Sequence, residues 1–69
     1  MDMKEFKIKE PHEVEAWCMR YIGPRLYHLH TQIGGQGWII KMSRKTYPTI
    51  TIENDNHALM AMIKFGFEI

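Results

Sequence analysis

The sequence has little of three things that often point to a function: cysteine, excess charge and long hydrophobic runs. One cysteine in 69 residues excludes an intrachain disulfide and any zinc site built on several thiolates. Nine Lys and Arg nearly balance eight Asp and Glu, giving a net charge of +1 with His neutral, so the overall basic excess of a dedicated nucleic-acid-binding domain is missing. No apolar run approaches the roughly 20 residues of a membrane helix, and we expect no membrane partner.

The start of the sequence is charged from its second residue and lacks the apolar run of a secretory signal. Together with the single cysteine, this predicts a cytoplasmic protein. Hydrophobic residues make up 45% of the chain and charged residues 25%, which is typical of a globular protein. A chain of 69 residues therefore predicts one small domain spanning 1–69, with a limited core.

The first third of the chain predicts a strand followed by a helix. Residues 4–9 alternate between apolar and charged side chains, as in a short strand at the edge of a sheet. Pro11 is suited to the first turn of a helix, and Gly23-Pro24 is suited to its end. Within this helix, spacings of three and four residues place four side chains on one apolar stripe: Val14, Trp17, Cys18 and Tyr21.

The middle of the chain predicts an antiparallel meander of three strands, at residues 25–33, 38–42 and 49–52. Gly34-Gly35-Gln36-Gly37 is expected to form the first turn. One face of the sheet, covered by both helices, would carry Tyr27, Leu29, Trp38, Ile40, Met42, Ile50 and Ile52. The other face would lie open and would carry Leu26, His28, His30, Ile39, Lys41, Thr49, Thr51 and Glu53.

The last third predicts a second helix over residues 58–65, preceded by the candidate caps Asn54, Asp55 and Asn56 and closed by Gly66. The fold class is therefore α+β, in the order β-α-β-β-β-α, with both helices on one face. The last helix is apolar around more of its circumference than one sheet can cover. Either it lies deep, with Phe67 and Ile69 folded over it, or Leu59, Met60 and Ile63 form part of an interface.

No set of residues predicts catalysis, a cofactor or a metal site. Cys18 lies in the apolar stripe, where a cysteine behaves as a small hydrophobic side chain. Ser43 lacks the strand–turn–helix context of a hydrolase nucleophile. His28 and His30 should project from the same side of a strand, but a zinc site needs three or four ligands. Two solvated histidines are the better interpretation.

One alternative is binding to nucleic acid. The order helix, three antiparallel strands, helix over residues 12–65, with Gly23-Pro24 after the first helix, is similar to that of double-stranded-RNA-binding domains. That family grips phosphates with lysines at the start of its last helix, whereas this chain has the acidic stretch 53–57 there, so those contacts do not carry over. A local basic patch remains as the alternative site: Arg20, Arg25, Lys41, Arg44, Lys45 and Tyr47.

The sequence favours a non-enzymatic protein-binding module as its leading functional hypothesis. Such a small chain would suit a regulator or inhibitor of a larger host protein, of the kind that viruses encode as accessory proteins. The expected partner is another protein or a second copy of the chain, and a structural homodimer is a further alternative. The predicted binding residues lie on the open sheet face and the last helix: Leu26, His28, His30, Ile39, Lys41, Leu59, Met60 and Ile63.

Overall fold

The chain folds into helices packed on an antiparallel sheet, in a computed structural model that describes residues 4–66 without the side chain of Lys4. This confirms the predicted α+β class. In chain order the elements are β1 (Lys4–Lys7), α1 (Pro11–Tyr21), β2 (Arg25–His28), β3 (Gln32–Gly35), β4 (Trp38–Lys41), β5 (Thr49–Ile52) and α2 (Asp55–Phe65).

Within residues 4–66 the sheet has five strands in the order β1-β5-β4-β3-β2, and every neighbouring pair is antiparallel. The predicted meander of three strands was too coarse, because residues 25–33 do not form a single strand. The chain reverses at His30-Thr31, where the Leu29 amide donates to the Gln32 carbonyl at 2.8 Å. Four strands therefore lie between the helices. β1 is an edge strand, as expected, and it pairs with β5, which the sequence did not predict.

Gly34 and Gly35 lie in β3, and the turn to β4 consists of Gln36 and Gly37, with Gly37 at a φ of +89°. The predicted turn over all four residues was wrong. A Cβ on Gly34 would lie 2.2 Å from the Tyr27 ring, and one on Gly35 would lie 2.0 Å from the Trp38 ring. Two aromatic rings from neighbouring strands thus occupy the space that glycine leaves open.

One face of the sheet is covered by both helices. The register aligns Phe6, Ile50, Ile40 and Ile33 across four strands, and cross-strand partners share a face. These residues belong to one buried cluster to which both helices contribute: Phe6, Ile8, Val14, Cys18, Ile33, Trp38, Ile40, Ile50, Ile52, Ala58 and Ala61. The predicted core positions on β4 and β5 are confirmed, and Met42 packs partly buried against them.

Tyr27 and Leu29 are not in this core, contrary to expectation. Arg25 pairs with Gly35 but Tyr27 pairs with Gly34, so Leu26 is one residue in excess of its partner strand. Such a bulge shifts every following side chain to the other face. Tyr27 remains 38% exposed and Leu29 59% exposed, and Ile33 of β3 fills the buried position instead.

The helix ends follow their sequence signals. Pro11 begins α1, and the Asn54 side chain caps α2 by accepting from the amides of Asn56 and His57 at 2.8 and 3.1 Å. Gly66 ends α2 at a φ of +68°, where glycine costs least. Neither helix within residues 4–66 has the length and apolar character needed to cross a membrane.

Candidate functional site

The two edges of the sheet differ in what they present to solvent. At β1, Phe6 is buried while Glu5 and Lys7 are exposed, so the edge is apolar towards the core and charged outwards. At β2, by contrast, all four residues are exposed. We call residues 25–29, which comprise β2 and Leu29, the β2 edge. It is the candidate functional site.

The backbone of the β2 edge leaves hydrogen-bonding groups available at its centre. The Leu29 amide donates to Gln32 in β3, and the amide and carbonyl directions alternate along an antiparallel strand. The amide and carbonyl of His28, one residue earlier, therefore point away from β3. Outward groups of this kind are what an added strand pairs with.

The side chains beside His28 are apolar. Tyr27 pairs with Gly34 and lies over it, which places Tyr27 on the face away from the helices. Its hydroxyl accepts from the Gln32 side chain. Leu29, two residues on, shares this face by strand alternation. The outward backbone of His28 is thus flanked by two exposed apolar side chains.

We call the face of the sheet away from the helices the open face. The register forms two rows across it, Glu5-Thr51-Ile39-Gly34-Tyr27 and Lys7-Thr49-Lys41-Gln32. Charges and threonines lie towards β1, whereas Ile39 and Tyr27 lie towards β2. The apolar part of the open face is therefore continuous with the β2 edge. Ile39 and Lys41 occupy the face that the sequence predicted for them.

The β2 edge is anchored to α1 by a salt bridge on the helix-covered side. Nη1 of Arg25 lies 3.1 Å from Oε2 of Glu15, a carboxylate that is buried although its strand partner is exposed. The same Nη1 lies 3.3 Å from Nδ1 of His28, and Nδ1 of His12 lies 4.0 Å from the other Glu15 oxygen. A buried carboxylate needs such a cation, so this contact holds the first residue of β2 against α1.

Cys18, three residues after Glu15 in α1, lies fully buried in the core. Burial raises the pKa of its thiol to about 12, and the negative charge of Glu15 adds to the rise. A thiol held in its neutral form is a poor nucleophile. The finding agrees with a structural role for Cys18 in the core.

His28 and His30 do not share the open face as predicted. His28 pairs with the core residue Ile33, which puts its ring on the helix-covered side, and His30 lies in the turn after β2. The early end of β2 and the bulge at Leu26 explain both differences. Within residues 4–66, no three His, Cys, Asp or Glu side chains are grouped closely enough to hold a metal ion.

The remaining predicted binding residues, Leu59, Met60 and Ile63, are exposed on α2. The buried side of α2 is formed by Ala58 and Ala61, so the exposed apolar residues point away from the sheet. They lie on the opposite side of the domain from the open face. The predicted set therefore forms two separate surfaces, and Phe67 and Ile69 lie outside the described residues.

The predicted basic patch is also divided. Lys41, Arg44, Lys45 and Tyr47 are exposed at the end of β4 and in the following loop. Arg25 lies at the other end of the sheet, bound to Glu15, and Arg20 lies in the last turn of α1 with its guanidinium 5.7 Å from the Tyr21 ring centre. Two of the five predicted cations are thus separated from the loop.

No protein-family model, curated protein or solved structure matches this chain. The predicted similarity in element order to double-stranded-RNA-binding domains was wrong. Four strands separate the two helices, whereas that order requires three. What the β2 edge can do follows from its own backbone, side chains and charge.

Sequence reasoning missed Tyr27, Leu29 and Glu15 as residues of this site. One signal was available for the first two, because the nine residues of the predicted strand 25–33 exceed the usual five or six. The reversal lies inside that stretch, at His30-Thr31. No local signal marks Glu15 as buried, since its partner Arg25 is ten residues away.

Proposed function

We propose that this chain is a non-enzymatic protein-binding module that accepts an extended strand of its partner at the β2 edge. The observation that carries the proposal is that β2 is an edge strand whose four residues are all exposed. Natural sheets usually protect an edge with charge, proline or a covering element. Leu26, Tyr27 and Leu29 instead offer apolar side chains beside an outward backbone.

The binding mode follows from the geometry of the strand. An added strand would pair with the amide and carbonyl of His28, which supply affinity with little dependence on the partner's sequence. Tyr27 and Leu29 would favour apolar side chains in the partner where they meet the open face. The bulge at Leu26 breaks the ladder, so it limits how far the partner strand can extend.

A module of this kind would suit a small regulator or inhibitor of a larger protein. A strand of the partner that pairs with β2 cannot pair elsewhere at the same time. Binding therefore competes with the other interactions of that segment of the partner. The rigid five-stranded sheet behind β2 lowers the entropic cost of presenting the edge. The function needs no residue with unusual acid–base chemistry.

A nucleic-acid partner is the rival, and one observation favours it. Lys7 and Lys41 lie on either side of Thr49 in a row across the open face, and Arg44 and Lys45 follow in the next loop. Such a row could contact phosphates. The net charge of +1 supplies no long-range attraction to a polyanion, and the apolar β2 edge has no role in that account.

Site-specific photocrosslinking tests the proposal. A photoreactive amino acid is placed at Leu26 on the β2 edge or at Ile63 on α2, both of them exposed, and each protein is irradiated in an extract of the cells that produce the chain. We expect a discrete protein adduct from position 26 that the added change Leu29→Lys removes. The matched change Leu59→Lys, at a similarly exposed leucine of α2, should leave it. Adducts from position 63 alone would contradict the proposal.

A titration separates the rival. Labelled duplex RNA, duplex DNA and single strands are added to the pure protein at low and moderate salt. The proposal predicts weak binding without dependence on Lys41 and Lys45. Tight binding that falls steeply with salt and is lost in the Lys41→Ala, Lys45→Ala double variant would establish the nucleic-acid function instead.

A further inference from the structure

The β2 edge is compatible with its own copy. Along the strand, His28 has its backbone groups directed outward, and the residues before and after it are Tyr27 and Leu29, both apolar and both exposed. Because an apolar residue lies on each side of His28, the strand presents a similar surface whether it is followed from Tyr27 to Leu29 or in reverse. An antiparallel copy can therefore meet it around a two-fold axis.

We propose that a second copy of this chain docks at the β2 edge, with the two β2 strands antiparallel and the two-fold axis at His28. This deepens the proposed function by naming the partner, and it rests on that function. The His28 backbones of the two copies would exchange both hydrogen bonds. Tyr27 of each copy would lie opposite Leu29 of the other, forming an aromatic–aliphatic pair on the open face at each end.

Charge allows this pairing. Residues 26–32 contain no Lys, Arg, Asp or Glu, so the axis brings no like charges together when His is neutral. The nearest cation, Arg25, is bound to Glu15 at 3.1 Å. The whole chain carries a charge of only +1, so repulsion between two copies is small.

The other edge explains why the assembly would stop at two copies. Pairing the β2 strands joins two five-stranded sheets into one continuous sheet and uses both β2 edges. The outer edges of that sheet are the two β1 strands, where Glu5 and Lys7 are exposed. Charged edges resist further strand addition, so a closed dimer forms rather than a filament.

Molar mass measured by light scattering across a concentration series tests the dimer on the pure chain of 69 residues. We expect the mass to rise from one chain to two between low micromolar and high micromolar concentration. Leu29→Lys places a charge opposite the partner's Tyr27 and should weaken dimerisation at least tenfold. Leu59→Lys makes the same change at an exposed leucine of α2 and should leave the dimer intact.

The outcomes separate the dimer from the broader function. A chain that stays monomeric to high concentration overturns the dimer, and photocrosslinking at position 26 in extract then decides whether another protein occupies the edge. A dimer weakened by Leu59→Lys but not by Leu29→Lys overturns it too, because α2 would be the interface. A mass that rises beyond two chains contradicts the closed two-fold arrangement.

Discussion

The two edges of this sheet are both short strands, yet they differ in how much of each strand is buried. β1 buries Phe6 in the core, and the following residue Ile8 is buried there too, while Glu5 and Lys7 are exposed. β2 buries none of its residues and is held to the domain by its pairing with β3 and by the contact between Arg25 and Glu15. β1 presents charged side chains to solvent and is held by hydrophobic burial. β2 presents apolar side chains to solvent and is held by a salt bridge.

The difference teaches how a small chain can keep one surface available. A domain of 69 residues has a limited number of apolar side chains, and at β1 the apolar side chain is buried in the core. At the β2 edge, three large apolar side chains are exposed: Leu26, Tyr27 and Leu29. Exposed apolar side chains grouped on an unpaired edge are typical of a binding surface.

The largest expected effect comes from truncating one apolar side chain at each edge. Phe6→Ala should lower the free energy of unfolding by about 3–5 kcal/mol, because it removes a ring that is 2% exposed and leaves a cavity. Leu26→Ala, at 67% exposure, should change it by less than about 0.5 kcal/mol. Urea unfolding measured at a concentration that keeps the chain monomeric checks both. A large cost for Leu26→Ala would show that β2 is covered and would break the comparison.

A smaller effect is expected from removing the anchor of β2. Arg25→Ala leaves the buried Glu15 carboxylate without its cation and should lower the free energy of unfolding by about 1–3 kcal/mol. Because Arg25 is partly exposed, the lower part of that range is expected. Arg20→Ala, in the last turn of α1 and without an acidic partner within salt-bridge distance among the described residues, is the matched control. If both substitutions lower the free energy of unfolding equally, the Arg25–Glu15 contact does not anchor β2.

The buried core can be probed through Cys18. Its pKa of about 12 in the folded protein lies above the ordinary value of 9.0, so the folded state holds its proton to higher pH than the unfolded state. Stability should therefore be unaffected at neutral pH and should fall as pH rises above 9. Thiol alkylation at pH 8 should be slow until urea unfolds the chain. Rapid alkylation of the folded protein would contradict the burial of Cys18.

The smallest effect on stability is expected from the substitution that blocks binding at the β2 edge. Leu29→Lys replaces a side chain that is already more than half exposed, so the free energy of unfolding should shift by less than about 0.5 kcal/mol. Binding at the β2 edge should nevertheless be lost. Circular dichroism with thermal unfolding checks the first point on the same protein used for light scattering. A misfolded variant would disqualify it as a probe of the edge.

Much of the fold could be predicted from local patterns, because its helices and central strands carry strong ones. Pro11 and Gly66 mark helix ends, and Trp38, Ile40, Ile50 and Ile52 alternate as buried strand residues should. The β2–β3 hairpin could not be separated from a single long strand by alternation alone. Its bulge and its two covered glycines depend on rings from neighbouring strands, which are tertiary contacts.

The candidate site was predicted only in part for the same reason. Ile39 and Lys41 lie on a regular central strand, so alternation placed them on the open face. His28 lies after a one-residue bulge, which reverses its side, and His30 lies in a turn. The burial of Glu15 depends on Arg25 from another element, and a pairing across ten residues leaves no periodic trace.

Amide hydrogen exchange at His28 tests most directly whether the β2 edge is open and able to accept a strand. At low concentration the His28 amide should exchange quickly, like the outward amide of Lys7 on β1. At high concentration His28 alone of these two should become protected, and Leu29→Lys should abolish that protection. An amide at His28 that is protected even in the dilute monomer would contradict the account, since the edge would then be occupied by the chain itself.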